Sequence, residues 1–175
     1  MTGNTRAGDR ILGSLRSTGG TGVVRIEDRF AANAGTVWSV LTEPGRLAGW
    51  LGDVEGDLRL GGEFRAHFFA SGWKGTGRIE ACEPGRRLLV QTTQAGKSDE
   101  QAIEVTLTRE GDGTVLVWEE RGMPAELVAA YGAGVQVHVE DLGAHLDGRE
   151  RCDADARFGE LFPAYQELPV DAGHG

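Results

Sequence analysis

The sequence predicts an α+β protein in which a mostly antiparallel sheet packs against a few helices, with one long helix across its concave face. The first observation is that apolar residues recur at every second position through most of residues 53–121, which is the periodicity of β-strands. The second is that turn formers such as Pro84-Gly85 separate these strands, so that consecutive strands pair as hairpins. The third is a long amphipathic stretch over residues 124–146.

Composition and charge are those of an ordinary globular protein. Its 175 residues, 39% hydrophobic and 26% charged, are enough for one domain with a sizeable core. The net charge of −9 argues against nucleic acid and anionic membranes as partners, because a protein needs clustered cationic side chains to bind either of them. No run approaches the roughly 18 apolar residues of a membrane span, and the N-terminus MTGNTRAGDR lacks the apolar segment of a secretory signal. We expect a cytoplasmic protein, either a monomer or a homodimer.

The N-terminal third predicts a hairpin followed by two short helices. Turn formers over residues 17–22 precede an alternating stretch, VVRIEDRF at residues 23–30, which predicts the second strand of the hairpin. Asn33 is placed to cap the first helix. Pro44 should end that helix, and a second short helix should end near Trp50.

The middle of the chain predicts a run of strands, and the whole sheet should contain about six or seven. Alternation and turn signals place these strands at residues 53–60, 64–68, 73–83, 88–92, 103–107 and 114–120.

The long helix is predicted over residues 124–146, with Pro124 in its first turn. Apolar spacing of three and four places one stripe toward the sheet, formed by Leu127, Tyr131, Val135, His138, Leu142 and Leu146. The opposite side carries four residues that suit solvent, namely Gln136, Glu140, Asp141 and Asp147. Gly132 and Gly134 each cost about 1 kcal/mol relative to alanine, and we interpret them as room for packing.

A second amphipathic helix is predicted after residue 148. Its apolar face consists of Phe158, Leu161, Phe162 and Tyr165. Four apolar side chains left in water would promote association, so this face should cover a sheet edge or a second subunit.

Several segments together resemble the Activator of Hsp90 ATPase homolog 1-like (AHSA1-like) family of the SRPBCC/START-like superfamily. They are VVRIEDRF with VWSVLTEPGRLAGWLG, LRLGGEFRAHF, GTGRIEACEPGRRLLV, GTVLVWEERGM and GVQVHVEDLGAHLDG, at residues 23–30, 37–52, 58–68, 75–90, 113–123 and 134–148. The resemblance implies a helix-grip (START/Bet v 1-like) fold, in which a curved antiparallel sheet wraps around a long C-terminal helix and an interior cavity. It also implies ligand or partner binding.

The predicted organisation is a disordered tail over residues 1–10, one domain over residues 11–168 and a second tail over residues 169–175. Two positions depart from many relatives. A tryptophan often follows the helix glycine, where this chain has Val135 after Gly134, and a histidine often stands near the end of the last strand, where this chain has Glu120. The smaller Val135 should leave volume at the centre of the helix–sheet interface.

These considerations predict a pocket between the sheet and the long helix. Strand parity and the helical stripe indicate eight lining residues, which are Trp50, Phe64, Trp73, Trp118, Glu120, Val135, His138 and Leu142. Pockets for small molecules are mostly apolar with a few polar groups, so this set favours an apolar or amphipathic ligand.

Glu120 and His138 are the polar members of this set, and three arrangements are open to them. They can hydrogen-bond each other or a ligand, since a buried carboxylate needs a partner. Alternatively, Glu120 frays into solvent and His138 bonds a backbone carbonyl. Finally, the two can serve as acid and base.

No metal or cofactor is expected. His67, His138, His145 and Cys82 lack the close spacing of zinc ligands. Cys82 and Cys152 form no CxxC pair, and acidic neighbours of Cys152 should raise the pKa of its thiol.

Three functions follow from these patterns. The main hypothesis is a module that binds an apolar or amphipathic small molecule. The first alternative is an interaction domain like an Hsp90 co-chaperone, which would have a chaperone as its partner. The second alternative is a cyclase- or hydrolase-like enzyme of the same superfamily that uses Glu120 and His138.

Overall fold

The computed structural model describes residues 10–172, which form one continuous sheet and four α-helices. The strands are β1 (Gly13–Thr18), β2 (Thr21–Phe30), β3 (Gly52–Gly56), β4 (Glu63–Phe68), β5 (Lys74–Glu83), β6 (Arg87–Gln94), β7 (Glu100–Glu110), β8 (Gly113–Pro124) and β9 (Val170–Ala172). The helices are α1 (Ala34–Thr42), α2 (Pro44–Leu47), α3 (Val128–Leu146) and α4 (Ala154–Glu167), with a 3₁₀ turn at Ala125–Leu127.

The nine strands form a single sheet in the order β3-β4-β5-β6-β7-β8-β2-β1-β9. All neighbouring pairs are antiparallel except β1 and β9, which are parallel. The sheet therefore has more strands than the six or seven predicted. Its last strand, β9, lies in the segment predicted as a C-terminal tail, and residues 173–175 and 1–9 lie outside the described part.

Local signals account for the first helices. Asn33 caps α1, because its side-chain oxygen accepts a hydrogen bond from the backbone N–H of Thr36 at 2.9 Å. Pro44 is the first residue of α2 rather than a simple break, a position that proline favours because its missing N–H would have had no partner.

The long helix begins four residues later than predicted. Pro124 is the last residue of β8, and a 3₁₀ turn connects it to α3, which begins at Val128 and ends at Leu146 as expected. The helix packs against β1, β2 and β8. The helix contributes several buried apolar side chains to the core, including the fully buried Leu142.

The assignment of one side of α3 to solvent is wrong for Gln136 and Asp141, which are 0% and 1% exposed. The cause is α4 together with the segment before it, which pack on α3, so that both faces of the long helix are covered. Tyr165 of α4 also lies against Gly13 of β1. The buried face of α4 contains Leu161 and Tyr165, and Phe158 and Phe162 are half-buried beside it. A separate helix thus covers the polar side that would face water in a simple two-layer fold.

A polar network joins α3, α4 and the N-terminal segment at this interface. Gln136 accepts hydrogen bonds from the Tyr165 hydroxyl at 2.6 Å and from the Leu12 N–H at 3.0 Å. Its amide donates to the Arg10 carbonyl at 2.7 Å and to Glu140 at 2.9 Å. The network joins α4 and the segment before β1 to the long helix.

An ion pair adds to this interface. Arg157 of α4 forms two hydrogen bonds with the carboxylate of Glu140, each of 2.7 Å, and its side chain is 10% exposed. Bidentate geometry of this kind fixes orientation as well as adding energy.

Candidate ligand-binding cavity

A cavity of about 450 Å³ lies between the sheet, the long helix and α4. This volume is within the range of small-molecule sites, roughly 300–1,000 Å³. Its lining comes from the β4–β5 connection, from β6 to β8, from α3 and from α4: Phe68, Ala70, Ser71, Gly72, Trp73, Thr92, Gln94, Gln101, Ile103, Glu120, Ala130, Tyr131, Gly134, Val135, Val137, His138, Ala154, Asp155 and Phe158.

Aromatic side chains form the wall on the side of the β4–β5 connection. The rings of Phe68 and Trp73 are stacked with centroids 4.9 Å apart. In the same connection, the guanidinium of Arg151 lies 4.7 Å from the ring centroid of Phe69, which links it to the segment between α3 and α4. A flat or apolar ligand would meet preformed aromatic surface here.

The helix wall is open at Gly134. A Cβ atom built at Gly134 would meet no atom within 4 Å, whereas one built at Gly132 would lie 2.6 Å from the Tyr165 ring. The two glycines therefore differ in role. Gly132 permits close packing of α3 on α4, and Gly134 faces the cavity.

Glu120 is the buried carboxyl group of the cavity. It is 8% exposed and accepts one hydrogen bond, from the indole N–H of Trp118 at 3.3 Å. Burial raises the pKa of Glu120 to about 7, and the bond from Trp118 opposes this rise. Near neutral pH both the ionised and the protonated form of Glu120 are therefore populated.

His138 reaches the same cavity from the long helix. It is 4% exposed, its ring is edge-on to Phe68 at 5.3 Å and stacked with Trp118 at 6.4 Å, and its Nδ1 atom has no hydrogen-bond partner among the described residues. Burial lowers the pKa of His138 to about 4, so the imidazole is neutral at pH 7.

Glu120 and His138 thus line one cavity without a hydrogen bond between them within residues 10–172. Glu120 does not fray into solvent, and the Nδ1 atom of His138 bonds no backbone carbonyl there. A buried polar atom without a partner costs free energy that a ligand atom would recover. Both side chains line the cavity, although the Nδ1 atom of His138 is itself buried from solvent.

The structure divides the eight predicted lining residues into three groups. Trp73, Glu120, Val135 and His138 line the 450 Å³ cavity. Trp50, Phe64 and Trp118 line a neighbouring apolar cavity of about 80 Å³. Leu142 lines neither space and is 0% exposed in the closed core.

Local contacts explain the position of the second group. The Trp50 indole N–H donates to the Val40 carbonyl at 3.0 Å, which holds the ring in the core. The Phe64 ring lies over Gly77, where no Cβ would fit. Hydrogen bonds and packing of this kind come from residues distant in sequence, so strand parity alone does not reveal them.

Sequence reasoning did not identify several polar and aromatic lining residues. Gln101 donates from its side-chain amide to the Tyr131 hydroxyl at 3.2 Å, and Thr92 and Gln94 lie on the neighbouring strand β6. Tyr131 lies on the predicted apolar stripe of the helix, so that pattern could have identified it. Phe158 could not be identified without knowing where α4 docks.

Cys152 lies outside the cavity and is not activated. Burial and, to a smaller extent, the neighbouring Asp141 together raise the pKa of its thiol to about 12. The expected direction is therefore correct, although burial is the larger cause. Within residues 10–172 no three His, Cys, Asp or Glu side chains are grouped to hold a metal ion, and no helix there is long and apolar enough to cross a membrane.

The curved sheet, the long C-terminal helix that it holds and the cavity between them define a helix-grip protein. The chain belongs to the family described as Activator of Hsp90 ATPase homolog 1-like protein, which it matches over residues 31–147. This confirms the resemblance and the fold predicted from the sequence. Comparison with curated proteins gives no match.

Solved structures support the same fold. CalU16 from Micromonospora echinospora is 29% identical, with a TM-score of 0.73 over 89% of this chain and 96% of its own. DynU16, from the dynemicin biosynthetic locus, is 29% identical, with a TM-score of 0.68 over 75% of this chain and 50% of its own. EF2215 from Enterococcus faecalis is 19% identical, with a TM-score of 0.67 over 90% of this chain and 92% of its own, and it supports the fold alone.

Proposed function

We propose that the protein is a binding module for an apolar or amphipathic small molecule, which it takes into the 450 Å³ cavity. The observation that carries this proposal is the combination of an aromatic wall with two buried polar side chains, Glu120 and His138, of which His138 has an unpartnered Nδ1 atom. Close-packed interiors rarely keep such volume without an occupant. The origin of DynU16 in a biosynthetic locus also favours a small organic molecule as ligand.

A chaperone partner remains a hypothesis with less support. Contiguous exposed apolar patches mark protein-interaction sites. The exposed large apolar residues of the described chain are Leu60 in the β3–β4 loop, Leu127 in the 3₁₀ turn and Val170 on β9. A pull-down with Hsp90 from the same cell tests this alternative. Acid–base catalysis by Glu120 and His138 likewise remains a hypothesis, and turnover of a bound ligand would support it.

Native mass spectrometry of the purified protein tests for a co-purified ligand. Val135→Trp supplies the matched perturbation, since Val135 lines the cavity and a larger side chain should fill it. We expect this variant to lose the ligand at little cost in stability.

Leu142→Trp is the control for that substitution. It places the same side chain two turns further along the helix, in the closed core, where overpacking should cost about 1–3 kcal/mol. If Val135→Trp destabilises the protein as much as Leu142→Trp does, and the wild type carries and takes up no ligand, the binding proposal is wrong.

A further inference from the structure

The ionisable groups of the cavity lining carry only negative formal charge. Among the described residues that line it, the carboxyl groups are Glu120 and the exposed Asp155, and no lysine or arginine is present. The other ionisable groups are His138, which burial keeps neutral at pH 7, and Tyr131, whose hydroxyl accepts a hydrogen bond from Gln101. Arg151 lies over Phe69 and is not part of the lining.

Glu120 lacks the partners that a buried carboxylate normally has. Its one hydrogen bond among the described residues comes from a neutral indole, whereas buried carboxylates are usually paired with a cation or with several donors. By contrast, Glu119, the next residue on β8, is paired with Arg121 at 2.8 Å. The cavity therefore contains a buried carboxyl group that no cationic side chain of the described lining neutralises.

The walls around Glu120 also favour a cation. Aromatic ring faces attract a positive charge through their quadrupole, and Phe68, Trp73, Tyr131 and Phe158 all line the cavity. An anion would meet the Glu120 carboxylate with no lysine or arginine of the described lining to neutralise it.

We propose, building on the binding function above, that the cavity selects amphipathic aromatic ligands carrying a protonated amine, which pairs with Glu120, and discriminates against ligands carrying a carboxylate or phosphate. The aromatic part of the ligand packs on Phe68 and Trp73. The amine donates to the Glu120 carboxylate.

Proton release gives this pairing a signature. The pKa of Glu120 is about 7 in the free protein, and a bound cation favours the ionised form and so lowers that pKa. Binding of an amine at pH 7 should therefore release a fraction of a proton, because some of the Glu120 groups are protonated beforehand. Affinity for the amine should rise between pH 6 and pH 8, as Glu120 becomes ionised.

Three ligands with one aromatic body test the proposal, namely 2-naphthylmethylamine, 2-naphthylmethanol and 2-naphthoic acid. Isothermal titration at pH 8 should give the amine at least tenfold tighter binding than the acid, with the alcohol between them. Titration of the amine at pH 7 in two buffers of different ionisation enthalpy should show the proton release.

Glu120→Gln should bring the affinity ratio of amine to alcohol close to one and abolish the proton release. Glu119→Gln removes the same charge one residue away, on the outer face, and should leave that ratio and the release unchanged. Equal or tighter binding of the acid, or no proton release by the wild type, would overturn the inference while leaving the binding function standing. Absence of binding by all three compounds would overturn the inference, and together with the absence of any co-purified ligand it would overturn the binding function as well.

Discussion

Gln136→Leu is expected to lower the free energy of unfolding by about 3 kcal/mol or more, because it leaves three polar groups without partners. The side chain of Gln136 is fully buried and accepts hydrogen bonds from the Leu12 N–H and the Tyr165 hydroxyl. It donates to the Arg10 carbonyl and to Glu140. Leucine has a similar volume but offers no hydrogen bond to the Leu12 N–H, the Tyr165 hydroxyl or the Arg10 carbonyl. Glu140 keeps its two bonds from Arg157.

Chemical denaturation of wild type and variant measures this loss. Tyr165→Phe is the matched control, because it removes one bond of the same network and leaves the other bonds of Gln136 in place, so that about 1 kcal/mol should be lost. A loss for Gln136→Leu no larger than that for Tyr165→Phe would show that the network does not hold the segment before β1 on α3.

The second large effect is a difference of sign between two substitutions on one helix. Gly132→Ala should destabilise the protein by about 1–3 kcal/mol, because its Cβ would lie 2.6 Å from the buried Tyr165 ring and 3.1 Å from Leu15. Gly134→Ala should instead stabilise it by up to about 1 kcal/mol, the difference in helix propensity, because its Cβ meets no atom within 4 Å.

Thermal and chemical unfolding of the two variants checks this pair. Both residues lie in the interior of α3, so the change in helix propensity is the same for both and only the surroundings differ. Similar changes in stability for the two variants would contradict the close contact between α3 and α4 at Gly132.

Much of the fold could be predicted because it depends on local patterns. Alternation predicts that Val24 and Ile26 lie on the same face of their strand, and both are buried. The Asn33 cap accepts its hydrogen bond from Thr36, only three residues away. The burial of Gln136 and Asp141 could not be predicted in the same way. It depends on the docking of α4 and of the segment before it. Tyr165 bonds Gln136 across 29 residues and Cys152 bonds Asp141 across 11, and no periodicity of α3 reports these contacts.

The lining of the cavity could likewise be predicted only in part. Parity predicted that Glu120 and the helix residues Val135 and His138 face one space, and they do line one cavity. Trp50 also faces the interior, but its bond to the Val40 carbonyl places it in a different part of the core. Packing between distant segments decides which inward side chains reach the cavity.

The central claim is that this cavity is the site of ligand binding, and the four tryptophan indole N–H signals test it directly by ¹H–¹⁵N NMR. During titration with 2-naphthylmethylamine, the signal of Trp73, which lines the cavity, and that of Trp118, which donates to Glu120, should shift with a common saturation curve. The signal of Trp38, on α1 and outside the cavity, should stay in place. Saturable shifts at Trp38 without shifts at Trp73 and Trp118 would contradict the assignment of this cavity as the binding site.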